Sequence, residues 1–519
     1  MQMGKTSSSK EHIAIIGGGF GGLGAAALLS KSGYRVTLLE KNEQLGGRAS
    51  VFSADGFRFD MGPSWYLMPD VFEEFFQALG EDIYDHLELE RLQPSYRVFF
   101  KDIDLKPVDI YSDFERDKQT FERLEPGSSD ALKLYLEKAG QQYEVTKSNF
   151  LYKNFDKVQD FLTKEVAMEG RKLSVTKTMD RYVSKYFKNE ETRKLIQYPL
   201  VFLGSSPYNT PALYNIMNHI DYDMGVYYPK GGIHAIVEAL ANIATTHSAD
   251  LRTNQSVTKI TTSQGKVTGV ELEDGTHISA DIVVSNADIA HTEQKLISPS
   301  ERMYSDRYFE SRTLAPSAFM MYLGVKGSLS SLRHHTLIFS KDWQQYFSEI
   351  FDNPTLPTDP SIYLSNPSKT DGTVAPKGAE NLVILVPIAP GMDIDSQSFS
   401  EYGDKLIEIV GKEIGAPDLA ERIIYRSDFT TNDFSQRYNA QAGTALGLAH
   451  TLRQTALLRP KNTHKKINNL YFVGASTNPG IGMPICLISA ELLTKQLIGD
   501  KSAGSLSKST TWKEKYLRN

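Results

Sequence analysis

A glycine-rich turn near the N-terminus carries the first chemical signal of the chain. Gly17, Gly19 and Gly22 occupy the fixed positions of a G-x-G-x-x-G pattern. Gly17 permits a tight turn, Gly19 lets a pyrophosphate approach the backbone, and Gly22 lets the following helix lie close to the strand. The amides and dipole at that helix N-terminus favour phosphate. No Gly-Lys-Ser/Thr follows, so the turn is not a P-loop and predicts a dinucleotide site.

The residues around this turn predict a βαβ unit. A strand over residues 12–16, a helix over 23–30 and a strand over 35–40 are expected from the apolar runs and the glycine turn. Glu40 ends the second strand, where a carboxylate can accept hydrogen bonds from both ribose hydroxyls of an adenosine. The chain therefore begins as a parallel sheet with a nucleotide at its edge.

The segment after Glu40 narrows the choice of dinucleotide. Glu40 and Lys41 are followed shortly by Gly46-Gly47-Arg48. This arrangement resembles the FAD-binding start of the amine oxidase and carotenoid desaturase superfamily, in which the arginine helps to neutralise the pyrophosphate. The resemblance implies FAD, with Glu40, Lys41, Gly47 and Arg48 among its contacts. An exposed surface arginine is the alternative for Arg48, but its flanking glycines favour close approach to a ligand.

The C-terminal segment from Leu470 to Pro484 resembles the closing signature of the bacterial and fungal phytoene desaturase family. A strand, a glycine-rich loop and a helix N-terminus would present amides to the N1–C2 carbonyl edge of a flavin, where negative charge develops on reduction. The residues expected at that edge are Gly474, Ala475, Gly482 and Met483.

Four further segments match the same family in order: residues 59–64, 228–232, 285–288 and 441–460. The resemblance implies that the cofactor contacts also include Gly62, Pro63, Ser64 and Val257. Two departures, Trp65-Tyr66 and Ile485-Cys486, are candidates for altering substrate length or the number of desaturations. Asp60, Asp288 and His450 lie in matched segments, but each is also suited to a cap, a turn or a core hydrogen bond. No catalytic residue is assigned, and the general base is a carboxylate or water.

The expected fold is α/β, with a Rossmann-like FAD-binding domain of the glutathione reductase type that is assembled from discontinuous segments. An α+β substrate domain and a helical lid region complete it. The predicted segments are FAD-binding parts at 11–90, 226–300 and 436–500, a substrate and helical membrane-facing region at 91–225, a substrate domain at 301–435, and disordered tails at 1–10 and 501–519.

Local patterns place further elements within these segments. A helix at 129–139 is expected to be capped by Ser129 and Asp130. The other predicted elements are an aromatic-faced helix at 69–80, a β-meander at 256–288, strands at 318–325 and 382–386, and a helix at 484–498.

The resemblance implies an FAD-dependent carotenoid desaturase that introduces C=C bonds into phytoene or a related C30 or C40 polyene by hydride transfer to the flavin. Quinone or oxygen would reoxidise the flavin. Three alternatives stay open at this point. They are a redox-neutral carotenoid isomerase or saturase, an amine or protoporphyrinogen oxidase, and a non-enzymatic protein resembling a prenyl-protein escort factor.

Composition excludes several other classes. The 519 residues carry a net charge of -6 and 23% charged residues, which argues against a nucleic-acid binder or a disordered chain. Cys486 is the single cysteine, so an intramolecular disulfide and a cysteine zinc cluster are impossible and a reducing, cytoplasmic setting fits. Glycines interrupt the apolar stretch at 13–29, so no spanning helix is expected.

A polyene substrate implies peripheral association with a membrane. Residues 164–194 contain nine Lys or Arg against five Asp or Glu, with Tyr182, Tyr186 and Phe187 among them. This stretch is a candidate docking face, and a solvated helix surface is the alternative. The aromatic face of the helix at 69–80 is likewise expected to be core more often than membrane contact.

Overall fold

The computed structural model describes residues 10–103, 105–153, 177–451, 453–455 and 458–517. Within them, the strands are β1 His12–Ile16, β2 Arg35–Leu39, β3 Val51–Ala54, β4 Phe57–Asp60, β5 Leu89–Arg91, β6 Tyr96–Phe100, β7 Val108–Ile110, β8 Tyr227–Pro229, β9 Asp250–Arg252, β10 Val257–Ser263, β11 Lys266–Leu272, β12 His277–Ser279, β13 Ile282–Ser285, β14 Ser317–Lys326, β15 His335–Phe339, β16 Ile362–Ser365, β17 Ala379–Ile388, β18 Ile423–Phe429 and β19 Leu470–Phe472. The helices of eight or more residues are α1 Phe20–Lys31, α2 Pro69–Ala78, α3 Phe114–Leu124, α4 Ser128–Thr146, α5 Glu190–Gln197, α6 His234–Thr246, α7 Trp343–Phe351, α8 Ser396–Glu413, α9 Thr431–Tyr438 and α10 Met483–Ile498.

A five-stranded parallel sheet in the order β19-β13-β1-β2-β9 forms the centre of the dinucleotide-binding half. Its strands come from three widely separated parts of the chain, so the predicted assembly from discontinuous segments is confirmed. Every residue of β1 is buried. Strands buried on both faces read as continuous apolar runs, which is why the sequence pattern located β1 so closely.

Helix α1 packs against α6 and α10 on one face of this sheet. Phe72, Phe75 and Phe76 of α2 are fully buried in the same core, so the aromatic face of this helix is core and not membrane contact. On the opposite face, the predicted meander forms the antiparallel strands β10, β11 and β12. Its first turn falls at Gln264 and Gly265, both with positive φ.

A seven-stranded sheet in the order β18-β14-β17-β16-β15-β6-β7 forms the second half of the molecule. The predicted strands at 318–325 and 382–386 are the central parts of β14 and β17, which pair along their full length. The region 91–225, predicted to be largely helical, begins with β6 and β7, which complete this sheet. These strands are short and depend on pairing that is distant in the chain, since β6 pairs with β15 and β7 pairs with β6. The predicted domain limits stay a prediction.

Helix α4 is longer than predicted and starts differently. Its N-cap is Gly127 in the left-handed region, and the Glu122 carboxylate accepts hydrogen bonds from the N–H groups of Gly127 and Ser129. Ser129 and Asp130 are therefore inside the first turn, and the predicted capping by them was wrong.

Two aromatic residues of the candidate docking face, Tyr182 and Phe187, are buried in a core beneath the helices of this region. The part of that face at 164–176 lies outside the described residues. No helix in the described ranges is long and apolar enough to cross a bilayer.

The sequence predicted a disordered tail from residue 501, whereas the structure has short helices at Leu506–Lys508, Thr510–Trp512 and Lys513–Leu517. Trp512 is fully buried against α2, and its Nε1 donates a 2.8 Å hydrogen bond to the carbonyl oxygen of Ala78. The Glu491 carboxylate of α10 accepts a hydrogen bond from Ser505 Oγ at 3.1 Å. The buried indole and these hydrogen bonds hold the C-terminal segment in place, although its composition is polar. The N-terminal residues 1–9 lie outside the described residues.

Replacing Trp512 with alanine is expected to lower the free energy of unfolding by about 3 to 5 kcal/mol, because a buried indole leaves a cavity. Denaturant unfolding measures the change. Leu134→Ala is the control, since Leu134 is 55% exposed. Equal stability of the two variants would contradict docking of the C-terminal segment.

Candidate active site

The turn between β1 and α1 contains glycines at positions where a side chain would be strained or would clash. Gly17 has φ +95° and its N–H donates a 2.8 Å hydrogen bond to the carbonyl oxygen of Leu39. A Cβ on Gly22 would lie 2.0 Å from the carbonyl oxygen of Gly17. Gly19 precedes α1 as its N-cap. The turn therefore brings the helix N-terminus against the end of β1, as the motif predicts.

Asn286, at the end of β13, joins this turn to the C-terminal loop. Its Nδ2 donates a 3.2 Å hydrogen bond to the carbonyl oxygen of Gly17. A Cβ on Gly21 or on Gly474 would lie only 2.6 Å or 2.3 Å from Asn286 Oδ1. The sequence pointed to the Ser285–Asp288 segment but gave Asn286 no role. Asn286 directly follows a buried strand, and the chain has two glycine turns that could contact it. This combination is the signal that sequence reasoning missed.

Glu40 is buried at the same sheet edge with its carboxylate fixed by the backbone. Its Oε2 accepts a 2.8 Å hydrogen bond from Gly18 N–H, and its Oε1 accepts one of 2.9 Å from Asn42 N–H. Each oxygen keeps a second lone-pair position for a ribose hydroxyl. Val257 lies beside it on the cavity wall.

Arg48 fits a phosphate group at this edge. Its Nε is buried without a hydrogen-bond partner among the described residues, and its guanidinium lies 5.9 Å from the Tyr438 ring centre. Gly47 packs closely on Gly19, with a Cβ at Gly47 reaching 3.3 Å from Gly19 Cα. The Arg48 Nη2 donates a long hydrogen bond of 3.4 Å to the Thr444 carbonyl oxygen, so most of the guanidinium is available to a ligand. A cation beside a backbone cradle without side chains is the arrangement that a pyrophosphate requires.

Lys41 also lies on the cavity wall, but its ammonium is bonded elsewhere. Its Nζ donates hydrogen bonds to the carbonyl oxygen of Gln436 and to Asn439 Oδ1. Lys41 therefore fastens α9 to the sheet edge, and its predicted contact with the cofactor stays a prediction.

At the other end of the site, two loops line the cavity. Gly482 has φ +119° and precedes α10 as its N-cap, with Met483 and Pro484 opening the helix. Gly62 packs on Arg48, where a Cβ would lie 2.5 Å from the Arg48 carbonyl oxygen. Both loops supply backbone rather than charged side chains, which suits the flat edge of a flavin ring.

One cavity of about 940 Å³ connects these features. All the predicted cofactor-binding residues except Gly22 and Gly474 line it, and those two pack directly behind the lining. Beyond the two loops the same cavity continues between the helical region and the second sheet as an apolar chamber. Its walls there are formed by leucine, isoleucine, methionine and aromatic side chains, among them Leu203, Ile216, Met217, Leu337, Phe339 and Trp343.

The three polar residues flagged by the sequence have structural partners. Asp60 accepts hydrogen bonds from Ile233 and His234 N–H before α6, and burial raises its pKa to about 6. Asp288 accepts from Ala290 N–H at 2.8 Å, and burial raises its pKa. The His450 Nδ1 lies 2.7 Å from the Tyr214 hydroxyl oxygen, and the His450 Nε2 accepts a hydrogen bond from Ile481 N–H. Burial holds its pKa well below the usual range, so it is neutral.

A polar chain that sequence reasoning missed opens onto the cavity at Ser64. Ser64 Oγ lies 2.6 Å from the Tyr363 hydroxyl, which lies 2.8 Å from His335 Nδ1. Burial holds the pKa of His335 well below its usual range, and its ring stacks on Trp65 at 4.3 Å. No local signal links residues 64, 335 and 363, because the loop after β4 meets β15 and β16 only in the folded chain.

Comparison with known families identifies the class. The family model described as flavin containing amine oxidoreductase matches residues 20–497. The chain belongs to this family. Its cofactor is FAD, and it is an oxidoreductase.

Similar proteins and structures agree with this assignment. The chain is 47% identical to a carotenoid 3,4-desaturase of Haloarcula japonica, covering 95% of this chain and 99% of that protein. It is 34% identical to a zeta-carotene-forming phytoene desaturase of Myxococcus xanthus, with 95% of each chain covered. A solved structure of a putrescine oxidase aligns over 94% of this chain and 99% of the oxidase chain, with a TM-score of 0.62. The sequence identity is 12%, so this similarity shows a shared fold.

Asn286→Ala is expected to raise the Kd for FAD at least tenfold, equivalent to about 1.4 kcal/mol, because the two glycine turns lose their common partner. Titration of the apoprotein with FAD, followed by flavin fluorescence, measures the change. Asn242→Ala, on the exposed side of α6, is the matched control. Unaltered FAD affinity in Asn286→Ala would contradict the role given to this residue.

Proposed function

We propose that this protein is an FAD-dependent carotenoid desaturase that introduces C=C bonds into phytoene or a related C30 or C40 polyene. The observation that carries the proposal is the continuity of the FAD site with a long apolar chamber in one cavity. The similar carotenoid 3,4-desaturase and phytoene desaturase, which act on carotenoids, support the same substrate class.

The charge distribution in the cavity argues against an amine substrate. Among the described lining residues the carboxylates are Glu40 and Asp288, and both lie at the dinucleotide end. An ammonium group in the apolar chamber would be buried without a counter-charge, which is costly. A hydrocarbon chain needs no polar partner and gains free energy from the burial of its surface.

When bound, FAD supplies the hydride acceptor. The residues of the chain hold the polyene against that acceptor, keep water away from the electron-poor carbon chain, and accept the proton that is lost. Ser64 Oγ receives the proton from the carbon next to the oxidised one, while its own proton moves to the Tyr363 oxygen and the Tyr363 proton moves to His335 Nδ1. The electrons of the broken C–H bond become the new C=C bond. Burial keeps His335 neutral at rest and makes it a weak base, so it can accept this proton only because the cationic polyene is a far stronger acid.

The polyene reaches the chamber from lipid, so we propose peripheral association with a membrane in the cytoplasm. Quinone or oxygen accepts the electrons afterwards. The buried positions of Tyr182 and Phe187 do not support the stretch at 164–194 as the docking face.

Purified protein loaded with FAD and mixed anaerobically with phytoene in vesicles is expected to bleach the flavin and to yield a product with more conjugated double bonds. Absorption bands of the extracted pigment measure the product. A rearranged polyene with unchanged hydrogen content would favour an isomerase, and an unreacted polyene with a stable complex would favour a binding protein of the escort type. Either result would contradict desaturation.

Tyr363→Phe is expected to lower kcat about 100-fold with little change in KM, because general acid–base groups contribute on this scale. Steady-state kinetics in H₂O and D₂O, with FAD content measured alongside, test the relay. Tyr402→Phe is the control, since its hydroxyl is also buried and donates to the Pro357 carbonyl oxygen away from the cavity. Equal kcat values for the two variants would rule out the relay.

A further inference from the structure

Arg459 is a buried arginine that the proposed reaction does not use. It lies behind the loop that runs from Gly474 to Gly482, and 2% of its surface is exposed. Its Nε donates a 2.9 Å hydrogen bond to the carbonyl oxygen of Thr477, and its Nη2 donates one of 2.6 Å to that of Ala475. The guanidinium thus holds two consecutive parts of one loop.

The charge of Arg459 has no counter-charge in the described part of the chain. None of the ion pairs there includes Arg459, and the ionisable groups facing it are Tyr214, Tyr308, His450 and Cys486. Burial keeps His450 neutral and raises the pKa of Cys486 to about 12. Burial lowers the pKa of Arg459 to about 10, so it still carries a proton at neutral pH. Buried charges in proteins are normally paired or bound to a ligand.

The hydrogen bonds of Arg459 also orient the loop. In a trans peptide the C=O and the following N–H point in opposite directions. The carbonyl oxygens of Ala475 and Thr477 face Arg459, so the N–H groups of Ser476 and Asn478 point away from it. Ser476 and Asn478 line the cavity. A ligand that lies against this loop therefore meets the positive ends of two peptide dipoles. The positive charge of Arg459 lies behind them and acts on the ligand from the same side.

We infer that Arg459 is the positioning residue that prepares this loop for the reduced cofactor. Its charge offsets the negative charge that develops at the N1–C2 carbonyl edge of the flavin, and its hydrogen bonds turn loop amides toward that edge. The consequence is a higher reduction potential of bound FAD, which favours hydride uptake from an unactivated hydrocarbon. The inference rests on the FAD site within the proposed function and not on the identity of the polyene.

The test measures the midpoint potential of FAD bound to Arg459→Met, by equilibration with a reference dye and without substrate. Removal of the charge is expected to shift the equilibrium toward oxidised FAD at least tenfold, which is about 30 mV for a two-electron couple. Arg422→Met is the matched control, because Arg422 also donates to two carbonyl oxygens, those of Lys326 and Ser328, away from the cavity. Its potential is expected to equal that of the wild-type protein.

Arg459→Met with bound FAD at the wild-type potential would overturn the inference, whatever its thermal stability. If Arg459→Met does not fold, Arg459→Lys decides the question. A buried lysine loses its proton at lower pH than an arginine. The difference in potential between Arg459→Lys and the wild-type protein is therefore expected to widen between pH 6.5 and pH 9, and a constant difference would overturn the inference. Failure of the wild-type protein to bind FAD would instead contradict the FAD site.

Discussion

Close packing around Asn286 is the constraint on which the rest of the structure depends. Two glycine turns, more than 400 residues apart in the chain, both contact this one amide. Cβ atoms at Gly21 and Gly474 would overlap Asn286 Oδ1, and a Cβ at Gly22 would overlap the carbonyl oxygen of Gly17. Because these positions carry no side chain, β1, β13 and β19 can end at one point. Their helices then start there, and a phosphate-binding edge results.

The chamber is a consequence of where that edge lies. The loops that complete the FAD site extend beyond the carboxyl ends of the parallel strands, where ligands of open α/β sheets bind. The second sheet and the helical region cover this opening with apolar side chains. Removal of water strengthens electrostatic interactions inside the cavity. A few polar groups, such as Ser64 at one wall and the loop amides at the other, therefore have a large effect on the chemistry.

The buried ionisable groups around the cavity are mostly held by the backbone. Asp60 receives two backbone N–H groups, His450 receives one, and Arg459 donates to backbone carbonyls. Such partners fix geometry without adding a second charge. Burial keeps His450 neutral, while Arg459 retains its charge behind the loop. The site thus combines an apolar chamber with positive charge from Arg48 at the sheet edge and from Arg459 behind the C-terminal loop.

The sequence by itself determined the FAD cofactor, the parallel sheet and the family, because those signals are local. Each signal lies within a few residues of the chain. The signals are a glycine turn, a carboxylate at a strand end and an arginine flanked by glycines. The tertiary structure alone decided the partners that lie far apart in the chain. Ser64 and Tyr363 are separated by 299 positions, and their contact depends on how the loop after β4 packs on the second sheet. Trp512 is a similar case, since its polar neighbours in the sequence predicted disorder and only packing against α2 buries its indole.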